Sequence, residues 1–401
     1  MVYSEVSHLE CSKCKAKYEH NQVLNLCKCG KPLFVKYYLD NLANEWNKDS
    51  LKNREPSLWR YHELLPIVHK ENVVSLGEGM TPLLRMDQMG SELHINDFYL
   101  KDESIIPSGT FKSRGAAVGV SKAKELGIQT IAMPTNGNAG ASWAAYATRA
   151  GIKTKIVMPE SAPTIPRNEC FMTDADLYLV DGLISDAGQI IGKAVQKYDW
   201  FDASTLKEPY RIEGKKTMGL EVLEQLNWEI PDVILYPAGG GVGVIGIYKA
   251  ILELQEIGWI TEKLPRFVVV QSDGCAPIVR AWEENKRESD FWEDAETVAF
   301  GITVPKALGD FLVLDILYNT DGCAMAISDD DMLKEQKHLA AMEGIYICPE
   351  GATTIAATRK LRENGWIKQN DKVVAINTGS GIKYPEIVES KIPMLQKDEE
   401  L

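Results

Sequence analysis

Lys112 is the side chain in this sequence around which covalent chemistry could be organised. It stands in Ser108-Gly109-Thr110-Phe111-Lys112-Ser113-Arg114-Gly115, after an apolar run at Phe98-Tyr99-Leu100 and before a helix-period segment over Ala116 to Leu126. Ala116, Ala117, Val120, Ala123 and Leu126 are spaced for one buried helix face. The lysine is therefore expected where a strand gives way to a helix start, and a cation there opposes the helix dipole. It is either a surface lysine that accepts this small cost or an amine of lowered pKa, made nucleophilic for a Schiff base.

The elements that position it recur along the chain. Apolar runs at 130–133, 155–158, 177–180, 233–236, 267–270 and 373–376 alternate with helix-period stretches at 139–150, 183–197, 218–226 and 244–257. Continuous apolar strands between helices predict parallel sheets covered on both faces, with ligands beyond the carboxyl ends of the strands. Three strand ends carry unusual loops. In the first, Thr135-Asn136-Gly137-Asn138-Ala139 leads into a helix; it reads as an Asn-Gly turn or as hydroxyl, amide and N–H groups gathered for a carboxylate. The second, Gly239-Gly240-Gly241-Val242-Gly243, opens another helix and reads as a phosphate cradle or a structural glycine turn. It also contains Gly241-x-Gly243-x-x-Gly246, a dinucleotide-like spacing, with Asp273 ending the next strand, so a nicotinamide enzyme is a rival reading. The third, Asn377-Thr378-Gly379-Ser380-Gly381, is polar and ambiguous alone.

Cys11-x-x-Cys14 and Cys27-x-Cys29 crowd four thiols into the first thirty residues, the pattern of a closed, structural zinc site. The other four of the eight cysteines are scattered, unlike a secreted disulfide framework. A net charge of -13 argues against nucleic-acid or anionic-membrane partners. No apolar run is long enough to span a bilayer, and Met1 to Glu10 lacks the pattern of a signal peptide, so a cytoplasmic protein is expected. The six histidines fall outside every motif.

Taken together, the loops in their order from Leu76 to Glu386 resemble the fold-type II pyridoxal-phosphate enzymes, most closely the threonine synthases. Leu76-Gly77-Glu78-Gly79-Met80-Thr81-Pro82-Leu83 is similar to the family's entry loop. The resemblance implies that Lys112 is the Schiff-base lysine, that Asn138 contacts the cofactor's phenolic oxygen, and that Gly239, Gly240, Gly241, Val242 and Gly243 cradle its phosphate. It implies that Thr378 faces the pyridine nitrogen and that Thr135, Asn136, Gly137 and Ala139 hold a substrate carboxylate. Tyr210-Arg211-Ile212-Glu213-Gly214-Lys215-Lys216-Thr217 resembles the stretch whose arginine meets a substrate phosphate, here Arg211, with Arg167 or Lys207 as helpers; a surface pair of Arg211 with Glu213 is the plainer reading.

The implied fold is α/β, with two open, mostly parallel sheet domains covered by helices, like the tryptophan-synthase beta chain, plus a small N-terminal cysteine ribbon. The expected division is a ribbon at 1–36, a large cofactor domain from 37–112 and 219–390, a substrate-side domain at 113–218, and an acidic tail at 391–401. The implied activity converts O-phospho-L-homoserine and water to L-threonine and phosphate in a homodimer, with pyridoxal 5'-phosphate and structural zinc. A serine/threonine dehydratase, a beta-replacement enzyme acting on a phosphorylated amino acid, and a cofactor-binding pseudoenzyme are the alternatives. Two departures bear on substrate: Ser113 stands where the family usually has Asp, and Asn136 stands where serine is common.

Overall fold

The computed structural model describes residues 3–261, 263–388, 392–395 and 397, so most of the expected acidic tail at 391–401 lies outside the described residues. The chain opens with strands β1 (Val6–Cys11), β2 (Lys17–Tyr18) and β3 (Leu33–Tyr37), an antiparallel sheet of order β2-β1-β3 that carries the four cysteines. Helix α1 (Leu39–Glu45) and short 3-10 turns follow, docked by Leu42, Trp46, Leu51, Leu58 and Leu64, which are all buried. This apolar content makes 37–70 part of the body of the protein.

Next come β4 (Leu83–Arg85), α2 (Asp87–Leu93), β5 (Asp97–Asp102) and α3 (Lys112–Glu125). A run of parallel units follows: β6 (Thr130–Pro134), α4 (Asn138–Ala150), β7 (Lys153–Pro159), α5 (Thr164–Met172), β8 (Asp176–Val180), α6 (Ile184–Tyr198) and β9 (Phe201–Asp202). These strands form an all-parallel sheet of order β8-β7-β6-β9. Helix α7 (Arg211–Gln225) leads on to β10 (Val233–Pro237), α8 (Val242–Glu256), β11 (Arg266–Ser272), α9 (Pro277–Glu283), α10 (Asp310–Asn319), β12 (Cys323–Ile327), α11 (Asp329–Glu343), α12 (Pro349–Glu363) and β13 (Lys372–Asn377). Their sheet has the order β12-β11-β10-β13-β5-β4, parallel except for the β4–β5 edge. Strand order reverses between β10 and β13, which opens a crevice at the carboxyl ends.

The observed helices begin ahead of several expected starts. Helix α3 starts at Lys112 rather than Ala116, and α7 at Arg211 rather than Met218. Both first turns are polar, so apolar periodicity does not register them, and they are buried through ion pairs instead. The Arg114 side chain, fully buried, donates to Glu103 (2.6 and 2.8 Å) and Glu221 (2.6 and 2.8 Å). Lys101 Nζ donates to Glu221 at 2.8 Å, and Thr81 and Thr217 complete the cluster. Burial works to raise the Glu221 pKa, but Arg114 and then Lys101 hold it down to about 2. Two cations and two carboxylates thus neutralise one another between β5, α3 and α7. Replacing Arg114 by Met leaves two buried carboxylates short of their partner, and the expected loss of unfolding free energy is ~3–5 kcal/mol, read from a denaturant midpoint at pH 7.

Candidate active site

Four strand-end loops meet around one cavity of about 400 Å³. The loop after β5 is stitched to the loop after β13: Phe111 N–H donates to the Thr378 carbonyl at 2.9 Å, and Ser380 N–H to the Gly109 carbonyl at 2.9 Å. Cys348 N–H in turn donates to the Gly379 carbonyl at 2.9 Å. These backbone bonds tie together the loops through which Lys112 and Thr378 line the cavity. The Lys112 amine lies 4.2 Å from the Phe111 ring centroid. Burial lowers its pKa to about 8; Glu350 opposes that shift and Arg211 adds to it. Of the two readings of Lys112, the geometry supports the amine of lowered pKa.

The glycine loop lines the cavity through Gly239, Gly240, Gly241 and Val242. Gly241, the residue before α8, has φ +73°, and a Cβ there would lie 2.2 Å from Val313. A Cβ on Gly243 would meet the Tyr236 hydroxyl at 1.9 Å. This glycine therefore serves close packing and does not itself line the cavity. Gly246 is tight against the Lys215–Lys216 backbone, so the dinucleotide-like spacing of Gly241, Gly243 and Gly246 is met by packing demands.

Thr135, Asn136, Gly137, Asn138 and Ala139 also line the cavity. Thr135 Oγ1 accepts from Gly137 N–H (3.0 Å) and Gly140 N–H (3.2 Å), which shapes the loop. The Asn136 amide donates to the carbonyls of Thr303 (3.0 Å) and Phe300 (3.4 Å), so it straps this loop to the facing one. Ser113 bonds to Ser108 (2.8 Å), and Arg114 belongs to the buried cluster; neither lines the cavity. Both departures from the family pattern are thus accounted for by internal hydrogen bonding.

Arg211 is buried against the cavity, its guanidinium 5.1 Å from the Trp143 ring. Its partner is Glu208 (Nε to Oε1, 2.5 Å), with further bonds to Thr205 Oγ1 (3.1 Å) and the Ala203 carbonyl. The pair with Glu213 does not form: Glu213 binds Tyr37, Lys216 and Lys249. Lys207 lines the cavity and pairs with Asp202 at 3.1 Å. Arg167, within α5, does not line it and reaches Thr164 Oγ1 at 3.5 Å. The expectation of Arg167 as a helper is corrected accordingly.

Sequence reasoning passed over Thr205, Lys215, Glu350 and Tyr384, all of which line the cavity. Glu350 accepts from the Tyr384 hydroxyl (2.6 Å) and Gly301 N–H (2.8 Å). Pro349 at the first position of α12 with an acid beside it was the available signal, since that pair marks a helix start.

Two buried polar atoms facing this region, Asn138 Oδ1 and Thr110 Oγ1, have no hydrogen-bond partner among the described residues. Together with a free amine and a glycine cradle at a helix start, they suit a ligand that carries a carbonyl, polar ring substituents and a phosphate.

A family model described as pyridoxal-phosphate dependent enzyme matches residues 74–379. The threonine synthases of Methanocaldococcus jannaschii and Methanosarcina acetivorans are each 34% identical to this chain, over 377 and 383 residues. Those alignments cover 94% and 95% of this chain and 93% of each relative. Among solved structures, maize serine racemase superposes with a TM-score of 0.65 at 19% identity, covering 75% of this chain and 88% of that one, a likeness of fold.

The position of Lys112 has a direct titration consequence. An ordinary lysine is protonated until about pH 10.4, whereas this amine becomes neutral, and nucleophilic, as pH rises through about 8. Labelling of the unliganded protein by an aldehyde reagent with borohydride trapping is expected to modify Lys112 with a midpoint near pH 8 by peptide mapping, a component of the labelling that is absent in Lys112→Ala.

Proposed function

The chain belongs to the threonine synthases among the pyridoxal-phosphate-dependent enzymes, and from that membership we propose that it converts O-phospho-L-homoserine and water to L-threonine and phosphate. The bound cofactor supplies an electron sink at the substrate's alpha carbon. Lys112 would hold it, the Gly239–Val242 loop would take its phosphate, Asn138 its phenolic oxygen, and Thr378 its ring nitrogen. Thr378 Oγ1 has the Cys348 thiol at 3.5 Å, and burial keeps that thiol protonated by pushing its pKa well up. The hydroxyl that would face the ring nitrogen and the thiol beside that hydroxyl are therefore both neutral, and would offer no charge to hold a proton there. This family reading displaces the nicotinamide and pseudoenzyme alternatives.

The chain's own residues divide the remaining work. Lys112, neutral near pH 8, carries protons between the alpha, beta and gamma carbons. The first-turn amides of α4, at Asn138 and Ala139, take the substrate carboxylate, because Thr135 already occupies those of Gly137 and Gly140. Arg211 meets the substrate phosphate, with Lys207 beside it. Glu208 holds the guanidinium from behind, so its direction is set before substrate arrives. On this reading 113–218 is the substrate-side unit and 37–112 with 219–390 the cofactor side, and the enzyme is a homodimer. Among the described residues, no helix is long and apolar enough to cross a membrane.

The observation that carries the choice of a phosphorylated substrate is Arg211 in the same cavity as Lys112, since a dehydratase acting on free threonine has no anion there for it to meet. Turnover of phosphohomoserine should exceed that of threonine or serine, and Arg211→Ala should cost ~2–5 kcal/mol in kcat/KM for the phosphorylated substrate. A preference for free threonine, or an Arg211→Ala enzyme with unchanged phosphohomoserine turnover, would establish the dehydratase instead.

We also propose one structural zinc on Cys11, Cys14, Cys27 and Cys29. Their Sγ atoms lie within 4.8 Å of one another, and the Cys11–Cys29 and Cys14–Cys27 pairs are at 3.5 Å. A tetrahedral ion with Zn–S of ~2.3 Å needs sulfurs ~3.8 Å apart. Backbone N–H groups of Lys13 and Cys14 point at Cys11 Sγ, each at 3.4 Å, as thiolates require. The ribbon is remote from the cavity only in sequence. Asn25 donates to the carbonyls of Asp202 (2.7 Å) and Lys207 (3.1 Å), bracing the loop that leads to Arg211. Chelation is expected to release one zinc per chain and to lower Tm, with a rise in KM for phosphohomoserine following from the loosened loop. Metal analysis, a melting curve and steady-state kinetics on one preparation check all three.

A further inference from the structure

Buried cations in this protein obey one rule with one exception. Of the eight buried lysines and arginines among the described residues, seven hold a carboxylate. Lys215 holds none. It is 3% exposed, it lines the cavity, and its Nζ donates to the Phe111 carbonyl beneath the Phe111 ring, 3.9 Å from the centroid. Burial depresses its pKa well below the usual lysine range, and Lys112 and Arg211 depress it further. The protein therefore places Lys215 among like charges, with Glu103 acting against them from a distance and no carboxylate in contact. Such a group is costly unless a ligand brings the missing negative charge.

The path of its stem indicates which anion that is. A Cβ on Gly246 would lie 2.9 Å from Lys215 Cβ, and a Cβ on Gly115 would lie 3.1 Å from its Cε. Two absent side chains, one on α8 and one on α3, thus leave the channel through which the lysine reaches the cavity. Gly246 sits one turn beyond the start of α8, whose first residues follow the Gly239–Gly241 cradle. The cradle itself offers N–H groups and a helix dipole of roughly half a charge, against close to two charges on a phosphate monoester.

We propose that Lys215 is the cationic partner of a phosphate monoester bound in this cavity, the phosphate of the cofactor seated on Gly239–Val242. The proposal rests on the cofactor reading of the site. Substrate phosphate has the same chemistry, and Arg211 with Thr205 is the pair placed for it.

The test compares pyridoxal 5'-phosphate with pyridoxal, which lacks the phosphate. Cofactor-free wild-type protein, Lys215→Met and Lys215→Arg are titrated with each, following the visible absorption band, and phosphohomoserine KM is measured at saturating cofactor. Lys215→Met is expected to bind pyridoxal 5'-phosphate roughly 10- to 100-fold more weakly, the scale of one charge-assisted hydrogen bond. Pyridoxal affinity should change less than about twofold, and Lys215→Arg should recover part of the loss. Cofactor-free Lys215→Met should also unfold no earlier than wild type, because an unpaired buried charge has been removed. Equal weakening of both ligands, unchanged affinity for both, or an effect confined to phosphohomoserine KM would each overturn the assignment. A wild-type protein that gives no band with pyridoxal 5'-phosphate would overturn the cofactor site itself, a separate failure.

Discussion

Charge removed from water must meet opposite charge, and this constraint organises the centre of the molecule. Arg114 and Lys101 balance Glu103 and Glu221 in a cluster with no exposure. Because guanidinium geometry is planar and bidentate, the cluster fixes orientation as well as distance between α3 and α7. Lys112 lies two residues before Arg114, so the reactive amine inherits its position from that balance. Immediately above it the balance is deliberately incomplete: Lys112 and Lys215 face the cavity with no carboxylate of their own. The lower layer secures the fold, and the upper layer leaves charge for ligands to neutralise.

The sequence was most legible where apolar runs and glycine loops alternate. Every strand of the two parallel sheets that carries a cavity loop was visible as such a run, apart from the two-residue β9, which is too short to show a period. Polar helix starts were not legible. The first turn of α3 is buried by the pair of Arg114 with Glu221, residues over a hundred apart in sequence, and no local pattern reports such pairing; in the first turn of α7, Arg211 and Glu213 are buried on Glu208, Lys216 and Lys249. The same limit hid Lys215, which differs in sequence from the neighbouring Lys216 in nothing but its partners. Lys216 has Glu213 and Glu253; Lys215 has a carbonyl and a ring.

Residues that look like substrate contacts in a linear motif can be structural in three dimensions, as Asn136 and Ser113 illustrate. Asn136 crosses the cavity mouth to Phe300 and Thr303, while on another face Lys383 reaches Glu169 of α5 and the Ser108 carbonyl (3.1 Å). Those contacts join the two sheets at the rim of the cavity. They are few and polar, in contrast to the continuous apolar core beneath, so the rim is the part of the structure least costly to open.

The place of β13 in its sheet has a consequence for how the chain is made. This strand sits between β10 and β5, and it is the last in chain order among the described residues. During synthesis from the N-terminus, β4–β5 and β10–β12 emerge as two unjoined half-sheets, each with an inner edge of unpaired amides and carbonyls. They stay so until residues 372–377 leave the ribosome and pair with both. The loop bearing Thr378 arrives in the same step and closes onto Phe111. The active site is thus assembled only once β13 has been made, and a nascent chain stopped anywhere before β13 presents two sticky sheet edges rather than a smaller enzyme.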